Sequence, residues 1–296
     1  MFPIIPANSV TAASGNDEGI FGFGNPSTAI TNLVSNTGVV SSDVAGVGTS
    51  RYGLAACEFG GDKGIFGFGY DALGPYTAVT NLVSNTGVVS SDVAGVGTAR
   101  SQLAACGYGG DKGIFGFGVG PVSTTNLVSN AGVVSSDVAG VGTARRILEA
   151  CSYGEDKGIF GFGQTGSLTA ITNLVSNAGV VSSDVAGVGT ARNQLAACSY
   201  GDDKGIFGFG DSGSVTAITN LVSNAGVVSS DVAGVGTARY GPAACSYGYD
   251  KGIFGFGASG GHKAMTNLVS NTGVVASDQA ATTGTARSNL AACSFN

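Results

Sequence analysis

Short apolar segments alternate with glycine and small polar residues along the chain, and the same order recurs six times. The segment Gly-Ile-Phe-Gly-Phe-Gly begins at Gly19, Gly64, Gly113, Gly158, Gly205 and Gly252, so successive copies are 45, 49, 45, 47 and 47 residues apart. Short apolar segments bounded by Gly, Asn and Asp are typical of β-strands joined by tight turns. No window has the spacing or length of a helix, so we expect an all-β protein.

Each copy divides into four predicted strands. In the second copy these are Leu54–Cys57, Ile65–Phe68, Val79–Ser84 and a fourth that begins at Val88–Ser91. A four-stranded unit with a period near 47 residues is the signature of a propeller blade. The sequence therefore predicts a single-domain, six-bladed β-propeller of four-stranded blades over residues 17–296. Residues 1–16 are then left over as an N-terminal arm.

The order of elements in the copy resembles the kelch repeat. That order is an Arg (Arg51), a first strand, a strand that ends in aromatic-Gly, a loop and two outer strands. The resemblance covers almost the whole chain and implies a kelch-like propeller. Two features depart from it: Gly-Phe-Gly replaces the kelch double glycine, and the Trp of the fourth kelch strand is absent. The binding residues of the family are therefore not carried over.

The ends of the chain suggest how the ring closes. The first Gly-Ile-Phe-Gly-Phe-Gly copy has no good Leu-Ala-Ala-Cys segment before it, whereas the chain ends with such a segment at Leu290–Cys293. We expect the C-terminal strand to complete the first blade, with Leu290–Ser294 pairing with Ile20–Phe23, which removes a free sheet edge. In the competing interpretation, the segment that contains Ser9–Asp17 fills this position.

Composition narrows the classes of partner. Charged residues make up 11% of the 296 residues and the formal net charge is −6. Nucleic acids and anionic membrane surfaces both select clustered Lys and Arg, so neither is an expected partner. The N-terminus has no basic segment followed by a long apolar one, so no secretory signal is expected, and no stretch is apolar enough to suggest membrane insertion.

The cysteines and the single histidine offer little catalytic chemistry. The cysteines recur at one position of the copy: Cys57, Cys106, Cys151, Cys198, Cys245 and Cys293. Disulfides, metal ligands and buried thiols are the alternatives. Sheet spacing disfavours disulfides between neighbouring blades, and paired zinc-ligand spacing is absent. We therefore expect buried free thiols, no metal and no cofactor. With His262 alone in a divergent loop, no Ser-His-Asp set recurs, and we expect no enzyme activity.

Acidic and basic positions also recur in every copy. The Asp residues are Asp43, Asp92, Asp137, Asp184, Asp231 and Asp278, and the Arg residues are Arg51, Arg100, Arg145, Arg192, Arg239 and Arg287; a second Asp recurs in the turn at Asp62 and its equivalents. A ring of charges that binds an ion is one interpretation. We favour a structural role, in which Asp caps turns and Arg contacts carbonyls between blades, because a ligand rarely touches six equivalent groups.

The copies differ mainly at two sites, after Gly-Phe-Gly and after the repeated Arg. In an up-and-down blade both sites emerge on one face, which could be tolerant loops or a diversified binding surface. The candidate binding face consists of Tyr52, Tyr70, Asp71, Tyr76, Gln102, Arg146, Gln164, Asn193, Asp211, Tyr240, His262 and Lys263.

Three functions are compatible with these features. We favour a non-enzymatic binding or structural module in an extracellular or virion assembly, such as a phage appendage, released without a signal peptide; a cytoplasmic location is the alternative. Assembly partners would dock through the N-terminal arm, and a surface glycan or receptor would be a further partner. The second candidate is a lectin-like propeller in which Tyr70, Tyr76 and Tyr240 hold sugars. An enzyme is the third.

Overall fold

Six small antiparallel sheets make up the fold, and the described residues contain no helix. The structure, a computed structural model, describes residues 17–71, 74–279 and 284–295. This repeated all-β architecture is compatible with a β-propeller. The predicted arm, residues 1–16, lies outside the described residues.

Each sheet contains an inner, a middle and an outer strand. The inner strands are β4 (Ala55–Phe59), β8 (Ala104–Tyr108), β11 (Glu149–Tyr153), β14 (Ala196–Tyr200), β17 (Ala243–Tyr247) and β20 (Ala291–Phe295). The middle strands are β1 (Glu18–Gly24), β5 (Lys63–Gly67), β9 (Lys112–Gly118), β12 (Lys157–Gly161), β15 (Lys204–Gly208) and β18 (Lys251–Gly255). The outer strands are β2 (Thr28–Val34), β7 (Thr80–Val83), β10 (Val122–Val128), β13 (Thr172–Val175), β16 (Thr219–Val222) and β19 (Thr266–Val269). The two-residue strands β3 (Arg51–Tyr52) and β6 (Tyr70–Asp71) extend the first sheet.

The first sheet combines the two ends of the described chain. Strand β20 pairs with β1, with Cys293 opposite Ile20 and Ala291 opposite Gly22. The second sheet has the same register within one segment of chain, where Cys57 lies opposite Ile65. Each inner strand also lies against the inner strands of two neighbouring sheets, and β20 lies against both β17 and β4.

The sequence predicted a continuous fourth strand in each copy, and this prediction is wrong. Only two isolated β-bridges form in that segment of each copy. In the second copy these bridges pair Val83 with Val89 and Thr80 with Val93. Between them, the Ser90 hydroxyl accepts the Leu82 N–H at 2.9 Å, and the Ser90 carbonyl accepts the Asn81 side-chain amide at 3.0 Å. A hydroxyl thus replaces one carbonyl of the ladder, and the continuous strand is interrupted.

The core lies between neighbouring sheets, where side chains of one sheet fill spaces beside glycines of the next. A Cβ on Gly67 would lie 2.7 Å from Cζ of Phe115, and a Cβ on Gly113 would lie 2.5 Å from Sγ of Cys57. Both distances are shorter than real Cβ contacts, so these two positions of the copy require glycine. The same two contacts recur at the equivalent glycines of all six sheets.

Candidate binding site at one end of the inner strands

A cycle of backbone hydrogen bonds surrounds one end of the inner strands. The residue two positions after each repeated Arg donates its N–H to the carbonyl of the equivalent residue in the preceding sheet. The cycle runs from Gly53 to Asn289, Gly241, Gln194, Ile147, Gln102 and back to Gly53, with N···O distances of 2.7–3.4 Å. All six residues have φ between 50° and 61°. This left-handed conformation costs little for Gly but strains the β-branched Ile147.

A cavity of about 210 Å³ opens at this cycle, and we call it the tyrosine cavity. Its lining includes the aromatic side chains Tyr52, Tyr70 and Tyr76, the amides Gln102, Gln194 and Asn289, the apolar side chains Leu54, Leu103, Ile147, Leu148, Leu195, Pro242 and Leu290, and the acid Glu149. A concave pocket that combines apolar and aromatic side chains with a small number of polar groups is the usual form of a small-molecule site.

The three tyrosines form one cluster because two variable segments pair with each other. Tyr52 in β3 lies opposite Tyr70 in β6, and Tyr70 forms an isolated bridge with Tyr76. The ring centroids of Tyr52 and Tyr70 are 5.3 Å apart, and those of Tyr70 and Tyr76 are 5.7 Å apart with near-perpendicular planes. These geometries are favourable for aromatic pairs and hold the rings in place.

Glu149 is the only charged residue among the described residues that line this cavity. It begins β11, at the position where the other five copies carry alanine. Burial among protein atoms raises the pKa of the Glu149 carboxyl well above its usual value, and a hydrogen bond from the Ala150 backbone opposes this shift in part. The side chain retains some exposure, which is directed into the cavity.

The other predicted face residues form pairs outside the cavity lining. Arg146 pairs with Gln164, and Asn193 pairs with Asp211. The Asn193 side-chain amide also donates to the Gln164 side chain at 3.3 Å. The remaining bridges join Tyr240 and His262 to Ala258, Lys263 to Arg287, and Asp71 to Arg51. The two variable sites are therefore adjacent, but only Tyr52, Tyr70, Tyr76 and Gln102 of the predicted set line the tyrosine cavity.

The repeated Asp and Arg residues form a contact between sheets that we call the latch. At the chain ends, both the N–H and the hydroxyl of Thr285 donate to the Asp43 carboxylate, and the Asn32 amide donates to it at 2.9 Å. The same Thr–Asp pair occurs at Thr49–Asp92, Thr98–Asp137, Thr143–Asp184, Thr190–Asp231 and Thr237–Asp278.

The Arg of each latch is buried between two sheets. Nε of Arg287 donates to the Phe23 carbonyl at 2.7 Å, and its guanidinium lies over the Phe256 ring, 4.3 Å from the centroid. Equivalent cation–π contacts of 4.0–4.4 Å occur in all six copies. Burial lowers the pKa of each of these arginines to about 10, and the nearby Asp opposes this shift.

The Asp carboxyls of the latch respond to two opposing effects. Partial burial alone would raise the pKa of Asp43, but the hydrogen bonds from Thr285 and Asn32 outweigh it, and the pKa is lowered. The other five latch carboxyls shift in the same direction for the same reasons. The latch therefore favours the ionised carboxylate.

The six cysteines are buried and are free thiols in the structure. Burial raises the pKa of Cys106 and of Cys198 to about 12, and the other four shift in the same direction. Protonated, buried thiols have little nucleophilic character.

Sequence reasoning missed Gln194, Asn289 and Glu149 as cavity residues. The signal for Glu149 was present, since Leu-Glu-Ala-Cys replaces Leu-Ala-Ala-Cys in the fourth copy alone. Gln194 and Asn289 stand in the same short segment after Arg as the predicted Gln102. Only the folded arrangement shows that the second residue of each such segment faces the inner strands.

No protein-family model matches this chain, and none of the curated proteins is similar to it. The resemblance to kelch repeats therefore stays a prediction. Within the described ranges, no three His, Cys, Asp or Glu side chains are grouped in a way that could hold a metal ion. The same ranges contain no helix with the length and apolarity needed to cross a membrane.

Proposed function

We propose that the six sheets are the blades of a closed six-bladed β-propeller, which acts as a non-enzymatic binding module with its ligand in the tyrosine cavity. Two observations support the closed ring. The pairing of β20 with β1 has the register of the other five inner and middle strand pairs. The latch between Thr285 and Asp43 joins residues 242 positions apart with the geometry of the five internal latches.

The convergence of Tyr52, Tyr70 and Tyr76 on one cavity is the observation that carries the binding function. Tyr52 stands where the other copies have Ser, Arg, Asn or Tyr, and Tyr70 stands where they have Asn, Val, Gln, Asp or Ala, so the repeat itself does not require a tyrosine at either position. Partly exposed aromatic rings beside amide groups offer both flat apolar surface and hydrogen-bonding groups. A cavity of about 210 Å³ has room for a small polar ligand.

Carbohydrate is the ligand class that this combination fits best. The faces of sugar rings carry C–H groups that pack on aromatic rings, and the hydroxyls at their edges can pair with the Gln102, Gln194 and Asn289 side chains. Tyr240, which the sequence suggested as a further sugar contact, does not line the cavity. A lectin-like role is therefore favoured over the assembly role, which stays a prediction because residues 1–16, on which it depends, lie outside the described residues.

A glycan array that compares the full chain with matched tyrosine variants tests this function. Tyr70→Ala introduces the residue found at the same position in the sixth copy, Ala258, and Tyr52→Ser introduces that of the third, Ser101. Both variants should fold and lose binding to any glycan that the wild-type protein retains. Tyr240→Ser is the control, since it changes the equivalent residue outside the cavity. Failure of the wild-type protein to retain any glycan, or equal retention by the Tyr70→Ala variant, would contradict the proposal.

A further inference from the structure

One acidic side chain breaks the repeat inside the tyrosine cavity. The other five copies have Ala55, Ala104, Ala196, Ala243 and Ala291 where the fourth copy has Glu149. The inner strand therefore forms with alanine at this position. The glutamate adds a carboxyl group that the packing of the sheets does not need.

The surroundings of Glu149 do not neutralise its charge. The other described residues that line the cavity are tyrosines, amides, Ser101, glycines and apolar side chains, with no Lys, Arg or His among them. An ionised carboxylate that is largely removed from water is costly unless a cation pairs with it. A positively charged group on a ligand would supply this partner.

The tyrosines favour the same kind of ligand. The face of an aromatic ring attracts a cation through its quadrupole, and an ammonium group gains most where water is excluded. Tyr52, Tyr70 and Tyr76 line the cavity together with Glu149. Three tyrosines and a carboxyl group thus line one space of about 210 Å³.

We propose that the tyrosine cavity selects a ligand with a protonated amine, and that Glu149 is the residue that recognises it. This inference rests on the proposed carbohydrate-binding function and narrows it to sugars with a free amino group, such as glucosamine units. The tyrosines and amides hold the sugar ring, while the Glu149 carboxylate accepts hydrogen bonds from the ammonium group. An N-acetylated sugar lacks this charge and offers only an amide N–H.

Two oligosaccharides that differ only in acetylation provide the test. Isothermal titration calorimetry would compare the full chain with glucosamine oligomers and with N-acetylglucosamine oligomers of equal length at neutral pH. A charge-assisted hydrogen bond predicts a preference for the free amine of about 10-fold to 100-fold in Kd. Glu149→Ala should remove this preference and retain the fold, because alanine stands there in five copies. Glu149→Gln removes the charge alone and should give the same result.

The outcomes separate this inference from the function on which it rests. Equal binding of both oligomers by the wild-type protein, with binding lost in Tyr70→Ala, would leave the lectin-like function standing and contradict the role of Glu149. A preference for the amine that persists in Glu149→Ala would also contradict that role. Binding of neither oligomer by the wild-type protein would contradict the amine-selective inference, whereas the glycan array decides the lectin-like function separately. Thermal melting of each variant confirms that the fold is intact.

Discussion

The latch and the tyrosine cavity are formed by the same six copies of the repeat, but the copies are identical at the latch and differ at the cavity. In the latch, the distance from Thr Oγ1 to Asp Oδ2 lies between 2.5 and 2.7 Å in all six copies. At the cavity, the residue two positions after the repeated Arg is Gly, Gln, Ile, Gln, Gly or Asn. Groups that join sheets are identical throughout, whereas groups that face the cavity differ from copy to copy.

This difference separates residues that hold the sheets together from residues that are free to bind a ligand. A junction between sheets occurs six times and each one needs the same Asp, Thr, Asn and Arg. In the proposed propeller, a ligand on the axis would meet six different surfaces, so one copy could supply tyrosines and another a carboxylate. We therefore expect the identical positions to carry stability and the divergent ones to contribute little to it.

Removal of residues 289–296 should have the largest effect, because it deletes β20 and leaves one edge of β1 unpaired. We expect loss of the single cooperative thermal transition, since a buried inner strand and its packing are both removed. Differential scanning calorimetry of the two proteins measures this. The control is Phe295→Tyr, which introduces the residue of four other copies and should melt like the wild-type protein. An unchanged melting curve after the deletion would show that β20 is dispensable.

Addition of one methyl group at Gly67 should destabilise the protein by about 1–3 kcal/mol, because the new Cβ would lie 2.7 Å from the Phe115 ring. Chemical denaturation of Gly67→Ala, Phe115→Leu and the double variant measures the coupling between the two sites. The double variant should be less destabilised than the sum of the single variants. Additive losses would mean that the two side chains do not meet. Gly61→Ala would be a poor control, because the φ of Gly61 is 80° and an alanine there would strain the backbone. We therefore favour Ala56→Gly in the inner strand as the control for a change of one methyl group.

Removal of one latch carboxylate should cost about 1–3 kcal/mol, since it leaves the Thr N–H, the Thr hydroxyl and the Asn amide without their acceptor. The informative pair is Asp43→Ala, at the junction of the chain ends, and Asp184→Ala, inside the chain. Urea unfolding should give equal losses for the two variants if the junctions are equivalent. A loss confined to Asp184→Ala would indicate that the ends are not joined in solution.

Glu149→Gln should have the smallest effect on stability and the opposite sign. Burial raises the pKa of this carboxyl in the folded protein, so its contribution to stability is fully present below the unfolded pKa and is lost as pH rises through the folded pKa. The variant should therefore become progressively more stable than the wild-type protein as pH rises above the ordinary pKa of a glutamate carboxyl. Thermal melts from pH 4 to pH 8 measure this, and a difference that does not vary with pH would contradict it.

Much of the fold could be predicted because the sequence pattern of each strand and turn occurs six times. The position of Cys293 relative to Ile20 follows from counting copies, and strand type follows from the glycine and aromatic pattern. The interrupted fourth strand could not be foreseen, since it depends on the Ser90 side chain replacing a backbone carbonyl. Variability identified Tyr52, Tyr70, Tyr76 and Gln102, but the position of Glu149 in the cavity was not predicted, because its substitution marks a difference between copies without showing the cavity beside it.

The cycle of backbone hydrogen bonds offers the most direct test of the closed ring. Gly53 N–H donates to the Asn289 carbonyl across the chain ends, and Ile147 N–H donates to the Gln102 carbonyl between internal copies, both at 2.9 Å. Native-state hydrogen exchange, measured by NMR, reports the free energy needed to open each of these bonds. A closed propeller predicts equal protection of the Gly53 and Ile147 amides, both exchanging only on global unfolding. Gly53 exchanging orders of magnitude faster than Ile147 would contradict closure.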